Sequence, residues 1–324
     1  MKKSFKLFLA AAFLVTEFFV VALPLMITSA KADGHPIQAV THAGFGGGTD
    51  VTTRMMLLRT RRYLKQDMQL VNKKGGGGAA SMDYMMTLPA DGQHTLTWTT
   101  GHAVSMALGK TKVKLSDMQP LARGTDDPQL FVVNCKNDIK DAKKFISAQK
   151  SKSLKYGTTH VGGIDDVSAI AFTKKGKLTD PTIVPYKGVG PIKTNLIKGD
   201  IDVGVLNLGE AVTEIEDGTL CVSVVLASNR MEKLSNVPTA TELGIPVVLS
   251  TVRGFVTRKG VPADRKKQLE DAMIKAMEHK YFQSFLTDIG LDSTSVVGAD
   301  EWGKQMEVML AEMTAQLKAL GYIK

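Results

Sequence analysis

The chain has 324 residues, of which 44% are hydrophobic, and its formal net charge is +9 at pH 7. This length is too great for one small core, and we expect two domains of ordinary size. Much of the basic excess lies at positions 136–155, where seven lysines accompany few aromatic residues. Nucleic-acid binding would require aromatic side chains interleaved with the cations, so we interpret this run as a solvated helix face and expect no nucleic-acid partner.

The first 32 residues have the pattern of a secretory signal peptide. Lysines at positions 2, 3 and 6 precede an apolar run, and Ala30-Lys31-Ala32 matches the small-x-small pattern of a cleavage site. Glu17 and Pro24 interrupt the apolar run, which favours a cleaved leader, with an uncleaved anchor as the alternative. We therefore predict a signal peptide over 1–32, cleavage after Ala32 and an exported mature protein.

A strand at 36–42 runs through the three glycines 46–48 into a helix that we expect to begin at Thr49 or Asp50, with one of these two residues as its cap. Glycines allow successive N–H groups to point at one spot, and a helix start adds unpaired N–H groups and a positive dipole end. The joint predicts either an anion-binding loop or a tight turn, and the pattern alone does not separate the two.

Short β-branched runs alternate with helical stretches along the rest of the chain, which is typical of an α/β fold. The apolar stripes at 264–278 and 302–320, rich in methionine in the second case, are interpreted as core packing. Strand–glycine–helix joints recur at 99–101, 154–166, 182–191 and 201–211.

This alternation falls into two blocks. We predict one domain from 33–133 plus 251–324 and a second domain from 134–250, with strand 129–134 ending the first block. Strand ends that carry glycines at helix starts gather at the carboxyl edge of an open α/β sheet, where such folds bind ligands. Two domains joined by two crossing segments would close on that ligand about a hinge.

Motifs for catalysis or cofactor binding are incomplete. Thr49 occupies the place of the third glycine of a dinucleotide fingerprint, and the stretch ending in Gly109-Lys110-Thr111 lacks the first glycine of a P-loop. The six histidines show no paired metal-ligand spacing, and no nucleophile has a base beside it. We therefore expect no enzyme activity, no metal site and no cofactor.

The two cysteines, Cys135 and Cys221, lie in apolar strand-like runs. An oxidising compartment permits a disulfide, but a buried free thiol is also common in such runs. Both alternatives stay open at this point.

Several motifs, in order, give the chain a resemblance to a known family. They are AGFGGGTDVTTR (43–54), LVNKKGGGGAAS (70–81), PADG (89–92), VPYKGVGP (184–191), KGDIDVGVLN (198–207), NVPTATELGIP (236–246) and KGVPADR (259–265). The chain resembles the Bug family of extracytoplasmic solute receptors, the binding proteins of tripartite tricarboxylate transporters, over nearly all of its mature length. The resemblance implies the type II periplasmic binding protein fold, with two α/β domains joined by a two-segment hinge.

The resemblance also implies that a carboxylate ligand is held between the domains by backbone N–H groups, small hydroxyl side chains and water. Carried over by position, the implied ligand-binding residues are Gly47, Gly48, Thr49, Asp50, Thr100, Gly101, Thr158, Thr159, Gly162, Gly163, Tyr186, Lys187 and Asn207.

The loop at 156–166 departs from the family pattern. It has Gly163 where a serine or threonine is usual and Asp166 where a histidine is frequent. We expect Asp165 and Asp166 in the first turn of the following helix, where acidic side chains complement the dipole. His102 and His160 flank two of the loops and are either ligand-binding or exposed polar residues.

These observations lead to one functional hypothesis and two alternatives. We expect a monomeric periplasmic solute-binding protein that captures a di- or tricarboxylate by domain closure and delivers it to the membrane subunits of a tripartite tricarboxylate transporter. The first alternative is an exported ligand-sensing protein that docks to a signalling receptor. The second is a periplasmic enzyme that uses the same cleft.

Overall fold

A computed structural model describes residues 35–159, 161–319 and 321–323. The predicted signal peptide, its cleavage site after Ala32 and His160 lie outside the described residues. Within these ranges, no helix is long and apolar enough to cross a membrane.

Strands and helices alternate along the described chain. The strands are β1 (Ile37–Thr41), β2 (Met68–Asn72), β3 (His94–Thr99), β4 (Met118–Pro128), β5 (Leu130–Asn134), β6 (Lys155–Thr158), β7 (Thr182–Pro185), β8 (Val203–Leu206), β9 (Leu220–Val225), β10 (Ser250–Arg258) and β11 (Val297–Gly298). The α-helices are α1 (Gly48–Leu64), α2 (Ala79–Thr87), α3 (Thr100–Ala107), α4 (Ala142–Ser151), α5 (Ile164–Lys175), α6 (Val189–Lys198), α7 (Leu208–Glu216), α8 (Ala263–Met277), α9 (Lys280–Asp288) and α10 (Ala299–Ala319).

The strands of the described residues form two sheets. The first has the order β11-β4-β10-β3-β1-β2, and the second has the order β7-β6-β8-β5-β9. In the first sheet β1 is parallel to β2 and β3, whereas β10 is antiparallel to β3 and β4. In the second sheet β6 is parallel to β7 and β8, whereas β5 is antiparallel to β8 and β9. Mixed sheets of this kind confirm the predicted α/β class.

Strand β5, which we placed at the end of the first block, lies in the second sheet between β8 and β9. Its buried apolar residues identify a central strand, but they do not indicate which sheet it joins. Strand β10 belongs to the first sheet, so the chain returns to that sheet near residue 250. The exact domain boundaries stay a prediction.

Two tryptophan side chains pack together in the apolar core between the first sheet and α10. Trp98 of β3 and Trp302 of α10 are fully buried, with ring centroids 5.7 Å apart. Gly254 of β10 makes room for Trp302, because a Cβ at Gly254 would overlap the indole ring. The buried face of α10 confirms that its methionine and tryptophan stripe is core packing.

The cysteines are joined in a disulfide. Cys135 follows β5 and Cys221 lies in β9, with their Cα atoms 5.0 Å apart. The bond therefore crosslinks neighbouring strands of the second sheet, and it settles the alternatives that the sequence left open.

Candidate ligand site at the strand ends

The first glycine loop connects β1 to α1. The helix begins at Gly48, one residue before the predicted start, and Gly47 is its N-cap with no side-chain hydrogen bond. The expectation that Thr49 or Asp50 caps the helix is therefore wrong. Gly46 has φ +74°, a left-handed conformation that favours glycine. The N–H groups of Gly48 and Thr49 make no hydrogen bond within the described part of the chain, so they stay available to a ligand.

Asp50 organises this loop from inside the helix. Its carboxylate accepts the N–H of Gly46 at 3.0 Å and the Nε–H of Arg54 at 2.9 Å, and its side chain is 3% exposed. Burial alone would raise the pKa of Asp50. The hydrogen bonds from Arg54 and Gly46 and the charge of Arg54 outweigh burial, so the pKa of Asp50 lies below its ordinary value. Asp50 is thus an ionised side chain that holds the loop in shape.

Arg253 of β10 lies beneath the start of α1. Its Nε donates to Thr49 Oγ1 at 3.3 Å, and its Nη1 donates to Asp127 Oδ2 at 3.2 Å. A Cβ at Gly48 would lie 2.6 Å from Nη2 of Arg253, so glycine at this position lets the guanidinium approach the helix start. Nothing in the local sequence marked Arg253 as a site residue, because its partners are distant in the chain.

The third helix begins at the same edge of the first sheet. The hydroxyl of Thr100 donates to the carbonyl of Ser250 at 3.0 Å and accepts the N–H of Val252 at 2.9 Å. This hydroxyl therefore ties α3 to β10. Gly101 follows in the first turn of α3 and is partly exposed.

His102 is fully buried and caps α3. Its Nδ1 accepts the N–H of Thr99 at 3.0 Å, and its Nε2 lies 3.0 Å from Ser81 Oγ. The ring also meets that of His42 edge to face, with centroids 4.4 Å apart. Burial, assisted by His42, places the pKa of His102 well below its ordinary value. The interpretation of His102 as an exposed polar residue is wrong, and the structure shows a neutral capping role.

The second sheet contributes the loop between β6 and α5. Asp165 Oδ2 accepts the N–H of Thr159 at 2.8 Å and its hydroxyl at 2.6 Å. Asp166 Oδ2 accepts the N–H of Gly162 at 2.6 Å. Both carboxylates lie in the first turn of α5, as predicted.

Gly163 is the N-cap of α5 and is partly exposed. Its N–H group and that of Ile164 make no hydrogen bond within the ranges that the structure describes. Thr158, the last residue of β6, is fully buried, and its hydroxyl has no hydrogen-bond partner among the described residues.

Three further predicted residues lie at the ends of β7 and β8. Tyr186 donates its N–H to the carbonyl of Thr158 at 2.7 Å and packs against the apolar cluster that includes Ile192 and Leu196 of α6. Lys187 is exposed. Asn207 is the N-cap of α7, and its Nδ2 donates to the carbonyls of Asp127 at 2.9 Å and Pro128 at 3.0 Å. Asn207 therefore joins the start of α7 to the end of β4.

Glu210 lies at this junction and is partly exposed. It accepts the N–H of Asn207 at 3.0 Å. Burial raises its pKa to about 7, the N–H of Asn207 and the charge of Arg253 oppose the rise, and Asp165 and Asp127 add to it. Burial likewise raises the pKa of Asp127 to about 6, against the effect of Arg253. These mutual effects place Arg253, Asp127, Asp165 and Glu210 in one electrostatic neighbourhood that spans both sheets.

Over residues 35–159, 161–319 and 321–323, no group of three or more His, Cys, Asp or Glu side chains could hold a metal ion. The candidate site consists of helix starts at the strand ends of both sheets, where N–H groups at the starts of α1 and α5 have no hydrogen-bond partner among the described residues. Such an arrangement can bind polar and anionic groups of a small molecule.

Residues 52–320 match the family described as "Tripartite tricarboxylate transporter family receptor", TctC. The chain belongs to this family. TctC proteins are periplasmic solute-binding receptors, which agrees with the two α/β sheets of this chain.

Relatives and solved structures are similar over most of this receptor. It is 27% identical over 220 residues to Protein BugT of Bordetella pertussis. The aligned region covers 65% of this chain and 66% of BugT. MatC from Rhodopseudomonas palustris, solved with bound malate, has a TM-score of 0.77 at 24% identity, covering 87% of this chain and 98% of MatC. An R. palustris protein solved with adipate has a TM-score of 0.79 at 21% identity, covering 90% of this chain and 99% of that one. These similarities confirm the type II periplasmic binding protein fold.

Proposed function

We propose that this TctC-family receptor binds a small organic carboxylate, most directly a di- or tricarboxylate, between its two domains and delivers it to the membrane subunits of a tripartite tricarboxylate transporter. The observation that carries the proposal is that helix starts at the strand ends of both sheets leave N–H groups without an acceptor among the described residues. Unpaired N–H groups of Gly48 and Thr49 come from the first sheet, and those of Gly163 and Ile164 come from the second. The dicarboxylates in the similar structures, malate and adipate, support this class of ligand.

Backbone N–H groups at a helix start are good carboxylate donors because they are already oriented and carry the positive end of the dipole. Among the predicted site residues, Gly48, Thr49, Gly101 and Gly163 are partly exposed and can offer such donors, whereas the N–H of Gly47 already donates to the carbonyl of Gly44 at 3.2 Å. The side chains of Asp50, Thr100 and Asn207 are already engaged in hydrogen bonds within the chain. We assign these three side chains to holding the loops in place.

Calorimetry of the purified mature protein against a carboxylate panel tests the binding step. We expect at least one di- or tricarboxylate to bind, and small-angle scattering to show a smaller radius of gyration on binding, as closure of two domains requires. Binding only of sugars, amides or uncharged compounds would overturn the proposal.

Delivery is tested separately. Proteoliposomes that contain the membrane subunits of a tripartite tricarboxylate transporter from the same organism should accumulate the radiolabelled ligand only when the receptor is added. Uptake that does not depend on the receptor would contradict a transport role, and specific binding to a signalling receptor would favour the sensing alternative.

A further inference from the structure

A groove lies on the surface between α1 and α9, apart from the candidate ligand site. Its volume is about 350 Å³, and it is lined by Met55 and Leu58 of α1 and by Tyr281, Ser284, Phe285 and Asp288 of α9. Two of its apolar side chains are strongly exposed, Leu58 at 52% and Tyr281 at 47%. Single exposed apolar residues are ordinary on a protein surface, but two that line one groove from different helices indicate a surface for another molecule.

Three cations, Arg59, Arg62 and Lys280, form a cationic rim at this groove. Cζ of Arg59 lies 5.3 Å from the centroid of the Tyr281 ring, and Nζ of Lys280 lies 5.6 Å from it. Nη2 of Arg59 also lies 2.5 Å from Nε2 of His279, the N-cap of α9. Partial burial lowers the pKa of His279, and the charges of Arg59, Lys280 and Arg62 lower it further, which places all three cations at the start of α9.

The cationic rim is not neutralised by the described part of the chain, where none of its three members forms an ion pair. The other two arginines of α1 differ, because Arg54 pairs with Asp50 and Arg61 pairs with Asp67. The rim therefore has positive charge to offer to a partner.

Acidic residues near the groove are few. Asp288, at the far end of α9, is the one acidic side chain among the described residues that line the groove. Glu278 precedes His279 in the chain, but it lines a separate groove together with Asp271 and Lys275. The groove thus combines apolar walls with a positive rim at the start of α9.

The groove lies between the first glycine loop and a contact with second-sheet elements. Helix α1 begins at Gly48 in that loop, and Leu58 follows about 15 Å further along the helix. At the end of α9, Nζ of Lys233, which follows β9 of the second sheet, donates to the carbonyl of Asp288 at 3.1 Å. A partner in the groove would therefore contact two helices that lead to both sides of the ligand site, as suits a partner that takes over the ligand.

Shape and charge favour an acidic protein segment as the occupant. A concave groove accepts an inserted side chain, whereas binding to a lipid surface uses apolar side chains that protrude. A second copy of the chain docked through the same surface would bring two cationic rims together, which like-charge repulsion disfavours. Tyrosine, methionine and arginine are also enriched in protein interfaces, and opposite charges on the partner would steer its association.

We infer that the groove between α1 and α9 docks a membrane subunit of the transporter, which inserts an apolar side chain beside Leu58 and Tyr281 and places carboxylates against the cationic rim. This inference rests on the proposed function, and it identifies the surface of the receptor and the chemistry of the partner that delivery requires. The groove is separate from the ligand site, so docking and ligand binding can be measured independently.

Binding of the mature receptor to nanodiscs that contain the membrane subunits of a tripartite tricarboxylate transporter from the same organism tests the inference. The wild-type receptor should bind, and less tightly at high ionic strength, because salt screens opposite charges. Leu58→Ser and Arg62→Glu should each lower this affinity by about tenfold or more, while calorimetry shows unchanged affinity for the carboxylate ligand. Unchanged affinity of both variants for the nanodiscs would overturn the inference.

Two matched variants control for the chemical changes. Val308→Ser removes an apolar side chain that is 56% exposed on α10, and Lys150→Glu reverses an exposed charge near the end of α4. We expect both controls to bind the nanodiscs as the wild-type receptor does, with melting curves that show folded protein for all four variants. Losses in the controls as large as those in Leu58→Ser and Arg62→Glu would contradict the assignment of the groove.

Two further measurements separate the other occupants. If nanodiscs of anionic phosphatidylglycerol without the subunits bind the receptor equally tightly, the surface binds lipid and the inference is wrong. If sedimentation shows a receptor dimer that Leu58→Ser abolishes, the groove belongs to a second copy of the chain and the inference is also wrong.

Failure of the inference and failure of the proposed function give different results. If Leu58→Ser and Arg62→Glu support receptor-dependent uptake into proteoliposomes as well as the wild type does, the inference fails and the proposed function stands. If the wild-type receptor binds no carboxylate, the proposed function fails, whereas weaker binding of the two variants to the nanodiscs still supports the docking surface.

Discussion

Arg253 and Asp127 form an ion pair of 3.2 Å in which both side chains are 4% exposed. The pair joins the middle of β10 to the end of β4, and Nε of the same guanidinium reaches Thr49 at the start of α1. Asn207 binds the carbonyl of Asp127 from the second sheet. One buried ion pair therefore supports both the first glycine loop and the junction of the two sheets.

Removing one partner of this ion pair should lower the free energy of unfolding. In Arg253→Gln, Asp127 stays buried without its cation, and we expect a loss of roughly 3–5 kcal/mol in the free energy of unfolding near pH 8. Asp127 can protonate, since its pKa is already raised to about 6, so the loss should be smaller near pH 5. Urea denaturation at both pH values measures the loss of stability.

The double variant Arg253→Gln/Asp127→Asn should recover much of the stability. Equal losses for Arg253→Gln at pH 5 and pH 8 would contradict this explanation.

A larger residue at Gly48 should lower both stability and ligand affinity, because Gly48 lies close to the guanidinium of Arg253. An added Cβ would lie 2.6 Å from Nη2, so Gly48→Ala must displace a guanidinium that Asp127 and Thr49 hold. We expect about 1–2 kcal/mol of lost stability and weaker ligand binding. Gly190 in α6 is the matched control, because a Cβ there meets nothing within 4 Å. Gly190→Ala should leave affinity unchanged, and equal affinities for the two variants would show that Arg253 does not support the site.

The sequence indicated the positions of the site loops better than the roles of their side chains. Glycines 46–47 and 162–163 do precede helix starts, because an apolar strand followed by glycine and a helical pattern is a local signal. Arg253 and Asp127 are paired across two strands, and such contacts leave no local pattern. Strand β4 was not predicted, since it contains proline, glycine and aspartate, which are depleted in strands, and it forms by pairing with β10.

Tertiary context also explains the errors at individual residues. His102 was open to a ligand role because a histidine next to a loop is polar, whereas burial and a cap to Thr99 determine its chemistry. The second-sheet carboxylates were predicted in the first turn of α5, but their hydrogen bonds to the loop N–H groups depend on the folded loop.

The disulfide should contribute strongly to stability. It joins residues 86 positions apart, and by the chain-entropy argument a loop of this length corresponds to about 4–5 kcal/mol. The double variant Cys135→Ser/Cys221→Ser should therefore unfold at clearly lower urea concentration, while calorimetry still detects ligand binding to the folded fraction. Unchanged stability in the variant would indicate that the crosslink constrains the unfolded chain little.

Substitution of Asp50 should reduce ligand binding by the first glycine loop more than it reduces the stability of the folded protein. Asp50→Ala removes the acceptor of the Gly46 N–H and the partner of Arg54, so the first glycine loop loses its internal support. We expect a larger loss of ligand affinity, measured by calorimetry, than of melting temperature for the unliganded protein. Arg54→Ala keeps the bond to Gly46 and should have a smaller effect on affinity. A large fall in melting temperature with unchanged affinity would mean that Asp50 only stabilises α1.

Glu210 should make stability depend on pH. Its pKa is about 7 in the folded protein against an ordinary value of 4.5, so the folded state binds its proton more tightly than the unfolded state. Where the folded state holds more protons, the free energy of unfolding falls as pH rises, so stability should decrease between about pH 5 and pH 8. Arg253 of β10 opposes this effect, while Asp165 of α5 and Asp127 of β4 add to it.

Melting temperature across this pH range checks the prediction. Glu210→Gln keeps the hydrogen bond to Asn207 but cannot ionise, so its curve should be flatter, with a remaining slope from Asp127, whose pKa is about 6. Glu242→Gln is the control, because Glu242 also accepts a backbone N–H, that of Thr239, yet hydrogen bonds from Thr239 and Arg230 lower its pKa. Its curve should keep the wild-type slope above pH 6. If Glu210→Gln shows the full slope as well, Glu210 does not carry the pH dependence, and its partial exposure to water keeps its pKa near the ordinary value.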